Sequence, residues 1–165
     1  MRHLNAILIS LMLLFSSFCS EAAMIKTKKA NVRSAPGLDK KVLFVYRTNA
    51  PLEVLEAQGK WLKVRDFENE VGWVSSKVVS IEKRGAIVKV ANANVRRGPS
   101  LRDSVVFLAG YGVAFEVIKS EDDWLQIKHE DGDIGWIQDA LVFSPQSIAS
   151  SQNGTTQPDN TPSNP

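Results

Sequence analysis

Ala30-Asn31-Val32-Arg33, followed by Pro36, returns 63 positions later as Ala93-Asn94-Val95-Arg96, followed by Pro99. At the same spacing Trp61-Leu62 returns as Trp124-Leu125, and Gly72-Trp73-Val74 returns as Gly135-Trp136-Ile137. The register holds without insertion or deletion, the signature of one small fold present twice. Each copy has about 60 residues, a size at which a single core is marginal but workable. Two such units suit a chain of 165 residues better than one large domain.

Local signals within a copy are those of strands. Ala30–Arg33 and Val42–Val45 are short, rich in Val and aromatics, and separated by the turn composition Ser34-Ala35-Pro36-Gly37. Asn49-Ala50-Pro51 introduces Leu52-Glu53-Val54, which alternates as a half-buried strand does. Gln58-Gly59-Lys60 reads as a tight turn before Leu62–Arg65, and Glu68-Asn69-Glu70 as a polar turn before Val71–Val74. Ser75–Val79 reads as a short helical turn. About five strands per copy predict an all-β chain of two small barrels, closure removing the exposed edges of so small a sheet. The expected inward set is Val32, Val42, Leu52, Val54, Leu62, Val64 and Val74, with their counterparts in the second copy. Trp61 and Trp73 fall opposite these positions: either a bulge turns them inward, or they lie at the barrel surface.

Outside the repeats, Arg2 and the apolar stretch Ala6–Phe15 precede Ser20-Glu21-Ala22 and Glu21-Ala22-Ala23, either of which offers a cleavage site, the layout of a secretory leader with cleavage after Ala22 or Ala23. The apolar run is too short to span a bilayer, and no other segment approaches the required length, so no transmembrane segment is expected in the mature chain. Phe18 stands where acylation of Cys19, the only cysteine, calls for a small residue. Cleavage after Ala22 or Ala23 leaves no thiol nucleophile and no disulfide. From Ser144 the chain is, apart from Ile148 and Ala149, Ser, Gln, Asn, Thr, Pro and Gly with Asp159 the only charged side chain, a composition that predicts a disordered tail. The expected organisation is a leader over 1–23, barrels over 24–82 and 86–143, and a polar tail over 144–165. Charge divides the copies: Met24–Lys83 carries 12 basic and 7 acidic residues, net +5, and Arg84–Phe143 carries 7 and 9, net −2. The few residues between Val79 and Ala86 bring the barrels into contact and leave room for a composite site.

The ordered set Asn31-Val32-Arg33 with Pro36, Gly59-Lys60-Trp61, and Gly72-Trp73-Val74, whose Asn-Val-Arg, Pro, Trp and Gly-Trp positions recur in the second copy, resembles the bacterial SH3-like domain of secreted tandem-repeat envelope proteins. The resemblance covers Lys26–Val79 and Lys89–Val142. It departs from the family's Gly-Pro-Gly first turn, which is Ala35-Pro36-Gly37 here and Gly98-Pro99-Ser100 in the second copy, and Asp122-Asp123 replaces the Gly59-Lys60 turn. The resemblance implies small five-stranded barrels that bind, similar to the modules that hold peptidoglycan hydrolases to the wall.

Hydrolase chemistry finds little support. His129 is the only histidine beyond the leader, and the first copy carries Asp66 in its place, which suggests a solvated turn rather than a triad. The acidic residues Glu121, Asp122, Asp123, Glu130, Asp131 and Asp133 lie on expected turns, without the burial a glycosidase acid needs or the loop spacing of a cation site. Binding finds more. Asn31, Arg33, Trp61 and Trp73, with Asn94, Arg96, Trp124 and Trp136, combine aromatic faces that stack on sugar rings or peptide planes with groups that fix polar atoms. Filling of a small core by the tryptophans, with Asn31 bonded in the first turn and Arg33 a surface charge, accounts for the same residues. Lys26, Lys28, Lys29, Lys40 and Lys41 make the first copy basic, but export argues against nucleic acid as the partner. The expectation is a non-catalytic binding protein, periplasmic or extracellular, with peptidoglycan or its peptide stems as partner and no cofactor or metal. The alternative is a scaffold that docks on a peptide of another envelope protein.

Overall fold

Short alternating segments punctuated by tight turns become fourteen strands in the computed structural model, which describes residues 21–146. The first seven are β1 (Glu21–Ile25), β2 (Lys29–Arg33), β3 (Val42–Arg47), β4 (Pro51–Gln58), β5 (Trp61–Arg65), β6 (Val71–Ser75) and β7 (Val79–Ser80). Their counterparts are β8 (Arg84–Val88), β9 (Asn92–Arg96), β10 (Val105–Gly110), β11 (Ala114–Glu121), β12 (Trp124–Lys128), β13 (Ile134–Gln138) and β14 (Val142–Phe143). A single 3-10 turn precedes the last strand of each set, at Ser76–Val78 and Asp139–Leu141. Both sets form antiparallel sheets, ordered β3-β2-β6-β5-β4-β1-β7 and β10-β9-β13-β12-β11-β8-β14.

One core serves each sheet. Ile25, Val32, Leu52, Val54, Val64, Val74 and Val79 meet in it, and Phe44 and Tyr46 of β3 pack on the same cluster. Strands at opposite ends of the ladder share this core, so the sheet is wrapped around it. Bulges at Val32/Arg33 and Val54/Glu56, repeated at Val105/Phe107 and Val117/Lys119, supply the local bends. Left-handed turn residues also recur: Asn49 and Gly112 have φ of 68° and 79°, and Asn69 and Gly132 have 67° and 99°. Asp122 (φ 48°) keeps the geometry of Gly59 (φ 58°), so the altered turn changes side chain and not backbone.

Two expectations are corrected. Each sheet has seven strands rather than five, because β1 and β7 pair with each other and β1 with β4. Within β1, Glu21, Ala22 and Ala23 lie opposite Val54, Glu53 and Leu52, and the repeat register extends back through them to Arg84-Gly85-Ala86. Val42 and Val105 are exposed rather than inward: each lies beyond a bulge that brings Phe44 and Phe107 to the core side instead. Of the expected leader, 1–20 lies outside the described residues, as does the tail beyond 146. No helix among the described residues is long and apolar enough to cross a membrane.

Gly72 and Gly135 mark the tightest crossing in each module. A Cβ on Gly72 would run into Val32 Cγ1 and lie 3.2 Å from the Arg33 carbonyl; on Gly135 it would meet Val95 Cγ1 and the Arg96 carbonyl. Both valines are fully buried and have no free space to retreat into. Gly72→Ala is therefore expected to destabilise the first module by about 1–3 kcal/mol. Urea unfolding should show it as a lower midpoint at unchanged slope, and an unshifted midpoint would contradict it.

The modules meet directly after the connector Ile81, Glu82 and Lys83. A Cβ on Gly85 of β8 would strike the Asn49 carbonyl and lie 3.0 Å from Met24 Cγ, both in the first module. Tyr111 of the second module donates its hydroxyl to Glu68 Oε1 at 2.7 Å and sets its ring 5.5 Å from that of Phe67.

Candidate ligand-binding site

Strand alternation decides the orientation of the tryptophans. In β6, Gly72 and Val74 face the core, so Trp73 faces outward; in β5, Val64 and Leu62 face inward, so Trp61 faces outward. The pairing sets Trp61 opposite Ser75, and Trp73 between Lys63 and Arg33. Asn31 lies on the outer row of β2, two positions from Arg33. The sheet thus brings all four expected residues of the first copy to one face. Three of them, Asn31, Arg33 and Trp61, line a groove of about 410 Å³ together with Lys29, Leu38 and Ser75, and Trp73 lies outside its lining.

Each side chain has a defined state. Arg33 donates from Nη1 to the Lys40 carbonyl at 2.7 Å, and Arg96 donates to the Asp103 carbonyl at 2.8 Å. The repeated arginine is thus first a clamp on the loop after β2 or β9. The Asn31 amide is exposed and makes no side-chain hydrogen bond among the described residues, so the expected turn bond is not formed. Beside the clamp, the Lys40 ammonium hydrogen-bonds Asp39 and holds its carboxyl below the usual carboxylate range. Leu38 crowns this loop at 80% exposure, and its counterpart Leu101 is 64% exposed. Sequence reading passed over this pair, although 63 positions separate them like the other repeated residues.

The second copy presents a different surface. Trp124 and Trp136 are only 8% and 6% exposed, and Lys119 Nζ sits 4.7 Å above the Trp136 ring. The first copy has Glu56 at that position, and its tryptophans are half-buried. Asn94 stays exposed, but Trp124 and Trp136 have little face left to stack on a ligand. The fold repeats; the offered surface does not.

Asp66 corrects another expectation. It is buried rather than solvated, and its carboxylate accepts from the Tyr46 hydroxyl at 3.0 Å and from the amides of Glu68 and Glu70, each at 2.9 Å. Burial first, and then the charge of Asp66, raises the Tyr46 hydroxyl far above the ordinary tyrosine range. In the second copy, His129 Nδ1 lies 3.0 Å from Asp131 Oδ2 and the imidazole packs edgewise on Phe115. Glu121, Asp122, Asp123, Glu130, Asp131 and Asp133 are all exposed at hairpin turns. Among the described residues, no group of three or more His, Cys, Asp and Glu side chains is placed to hold a metal ion.

Comparison with known proteins identifies the modules. Two models described as bacterial SH3 domain match residues 28–80 and 89–143. The chain belongs to the bacterial SH3 domain family. Its two SH3 modules coincide with the two sheets. A curated relative, "Putative N-acetylmuramoyl-L-alanine amidase YrvJ" of Bacillus subtilis (strain 168), is 25% identical over 153 residues, covering 84% of this chain and 29% of that protein. The chain thus spans under a third of that relative's length. Similar solved structures include NlpC1 of Trichomonas vaginalis (16% identity, 84% of this chain and 50% of that one, TM-score 0.35). An NlpC/P60 family protein of Bacillus cereus ATCC 10987 is 15% identical over 77% of this chain and 57% of that one, with a TM-score of 0.34.

Proposed function

We propose that this tandem SH3 protein binds cell-wall peptidoglycan or its peptide stems outside the cytoplasm, through the outer face of the first module and without catalysing a reaction. The groove lined by Asn31, Arg33, Leu38 and Trp61 carries the reading. It joins a flat aromatic face and an exposed aliphatic tip to an unspent amide and a fixed cation, a combination suited to an amphipathic polymer repeat. Membership of the bacterial SH3 family and the amidase name of the Bacillus relative support a wall ligand.

Co-sedimentation with purified peptidoglycan tests this. The protein should pellet at modest salt, and Trp61→Ala should weaken binding by about 2 kcal/mol, roughly thirtyfold. Trp136→Ala, acting on a covered ring, should change the pelleted fraction little. No pelleting would overturn the wall reading in favour of a scaffold for an envelope protein. Release of soluble fragments from the same sample would overturn the non-catalytic one.

A further inference from the structure

We propose that the seam between the SH3 modules holds a second binding site, for a short peptide carrying both a free carboxylate and a free amine. A groove of about 530 Å³ lies there, lined by Lys26, Lys28, Arg47 and Thr48 of the first module and Glu130 and Asp131 of the second. That volume is within the range of small-ligand sites.

The repeat explains why this space is open. Adding 63 converts Phe67, Glu68 and Thr48 into Glu130, Asp131 and Tyr111. The seam therefore has two equivalent ends. At one, the Phe67-Glu68 turn of the first module receives Tyr111 of the second, ring against ring and hydroxyl to carboxylate. At the other, the Glu130-Asp131 turn of the second module faces Thr48, whose small side chain donates to the Thr27 carbonyl at 3.2 Å. The groove is the place of a missing tyrosine.

Most of its charges are specific to this end. Lys28 and Arg47 become Ala91 and Gly110 in the second copy while Lys26 is kept as Lys89, so the closed end retains one of the three cations. Among the described residues, no ion pair within 4.0 Å joins Lys26, Lys28 or Arg47 to Glu130 or Asp131. Opposite charges thus stand on facing walls without a direct pair across the groove, Glu130 on one side and the three cations on the other, while Asp131 Oδ2 lies 3.0 Å from His129 Nδ1 of its own turn. A dianion meets repulsion from Glu130 and Asp131, and a dication from the three cations. A ligand with separated charges of both signs satisfies both walls, its carboxylate on Arg47 and its amine on Glu130.

Calorimetric titration of the full protein with the tripeptide Ser-Gln-Asn, which has one free amine and one free carboxylate, against the same peptide with its amine acetylated and its carboxyl group amidated, tests the proposal. Saturable binding of the free peptide is expected, weaker by about tenfold for the blocked form and for Arg47→Gln or Glu130→Gln. Thr48→Tyr, which restores the aromatic plug, should abolish binding while leaving the thermal transition in place. Absence of saturable binding at millimolar peptide, equal binding of the blocked form, or wild-type binding by Thr48→Tyr would overturn the proposal. Trp61→Ala separates it from the wall-binding reading: that variant should lose pelleting but keep the tripeptide, and Thr48→Tyr should do the reverse.

Discussion

Asp66→Ala is expected to remove a large share of the stability of the first module, about 2–4 kcal/mol, and to leave the core of the second in place. The substitution strips the acceptor from the Tyr46 hydroxyl and from two backbone amides at once. Buried donors left without partners cost about 1–3 kcal/mol each, less where the turn opens to water, so a total of about 2–4 kcal/mol is reasonable. A module of about 60 residues has roughly 3–9 kcal/mol in hand. Tryptophan fluorescence should show a separate early transition, and coincident unfolding of both modules at the wild-type temperature would refute the role assigned to Asp66. The same pair sets an alkaline limit. Tyrosine in the unfolded chain ionises near pH 10, whereas folded Tyr46 resists, so the unfolded state binds fewer protons above that pH and stability falls as pH rises. The slope approaches about 1.4 kcal/mol per pH unit for the one proton. Ala109 replaces Tyr46 in the second module, and Tyr46→Phe should abolish this component in the first.

A chain beginning at Met24 should melt well below one beginning at Glu21. Removing Glu21, Ala22 and Ala23 leaves β4 without its partner over Leu52–Val54 and takes buried Ala23 from the core. Three lost pairings at about 0.5–1.5 kcal/mol each predict a fall of about 10 °C or more for a module this small. Equal melting temperatures would show that β1 contributes nothing. If a leader is removed in the cell, a cut on the N-terminal side of Glu21 retains the whole strand, and a cut after Ala22 or Ala23 does not.

That strand shows where sequence reading stopped. β2 to β6 announce themselves through local alternation and turn residues, signals that need no knowledge of the partner strand. Glu21-Ala22-Ala23 has no β-branched or aromatic residue, and its place in the sheet depends on β4, some thirty residues away. Val42 escapes local pattern for a related reason: one bulge reverses the facing of all residues beyond it, and a bulge is a property of two strands together. Asp66 sits in a polar stretch, and only the fold carries Tyr46 to it. The rows of the candidate face were closer to legible: Asn31, Arg33, Trp61 and Trp73 stand on the outer rows of β2, β5 and β6, although alternation alone leaves the tryptophans open between a bulge that turns them inward and a place at the surface. The covering of Trp136 by Lys119, from a neighbouring hairpin, was beyond local pattern.

The short connector and the Gly85 contact with Asn49 bear on how force passes between the modules. Domains on a loose tether sample many relative placements, and a pull on one reaches the other only when the slack is taken up. Here the connector is Ile81, Glu82 and Lys83, and β8 lies against the Asn49 carbonyl and Met24 of the first module. A load on one module would pass to the other through packed atoms, and Gly85→Ala, by prising that seam, would slacken the joint without touching the groove of the first module.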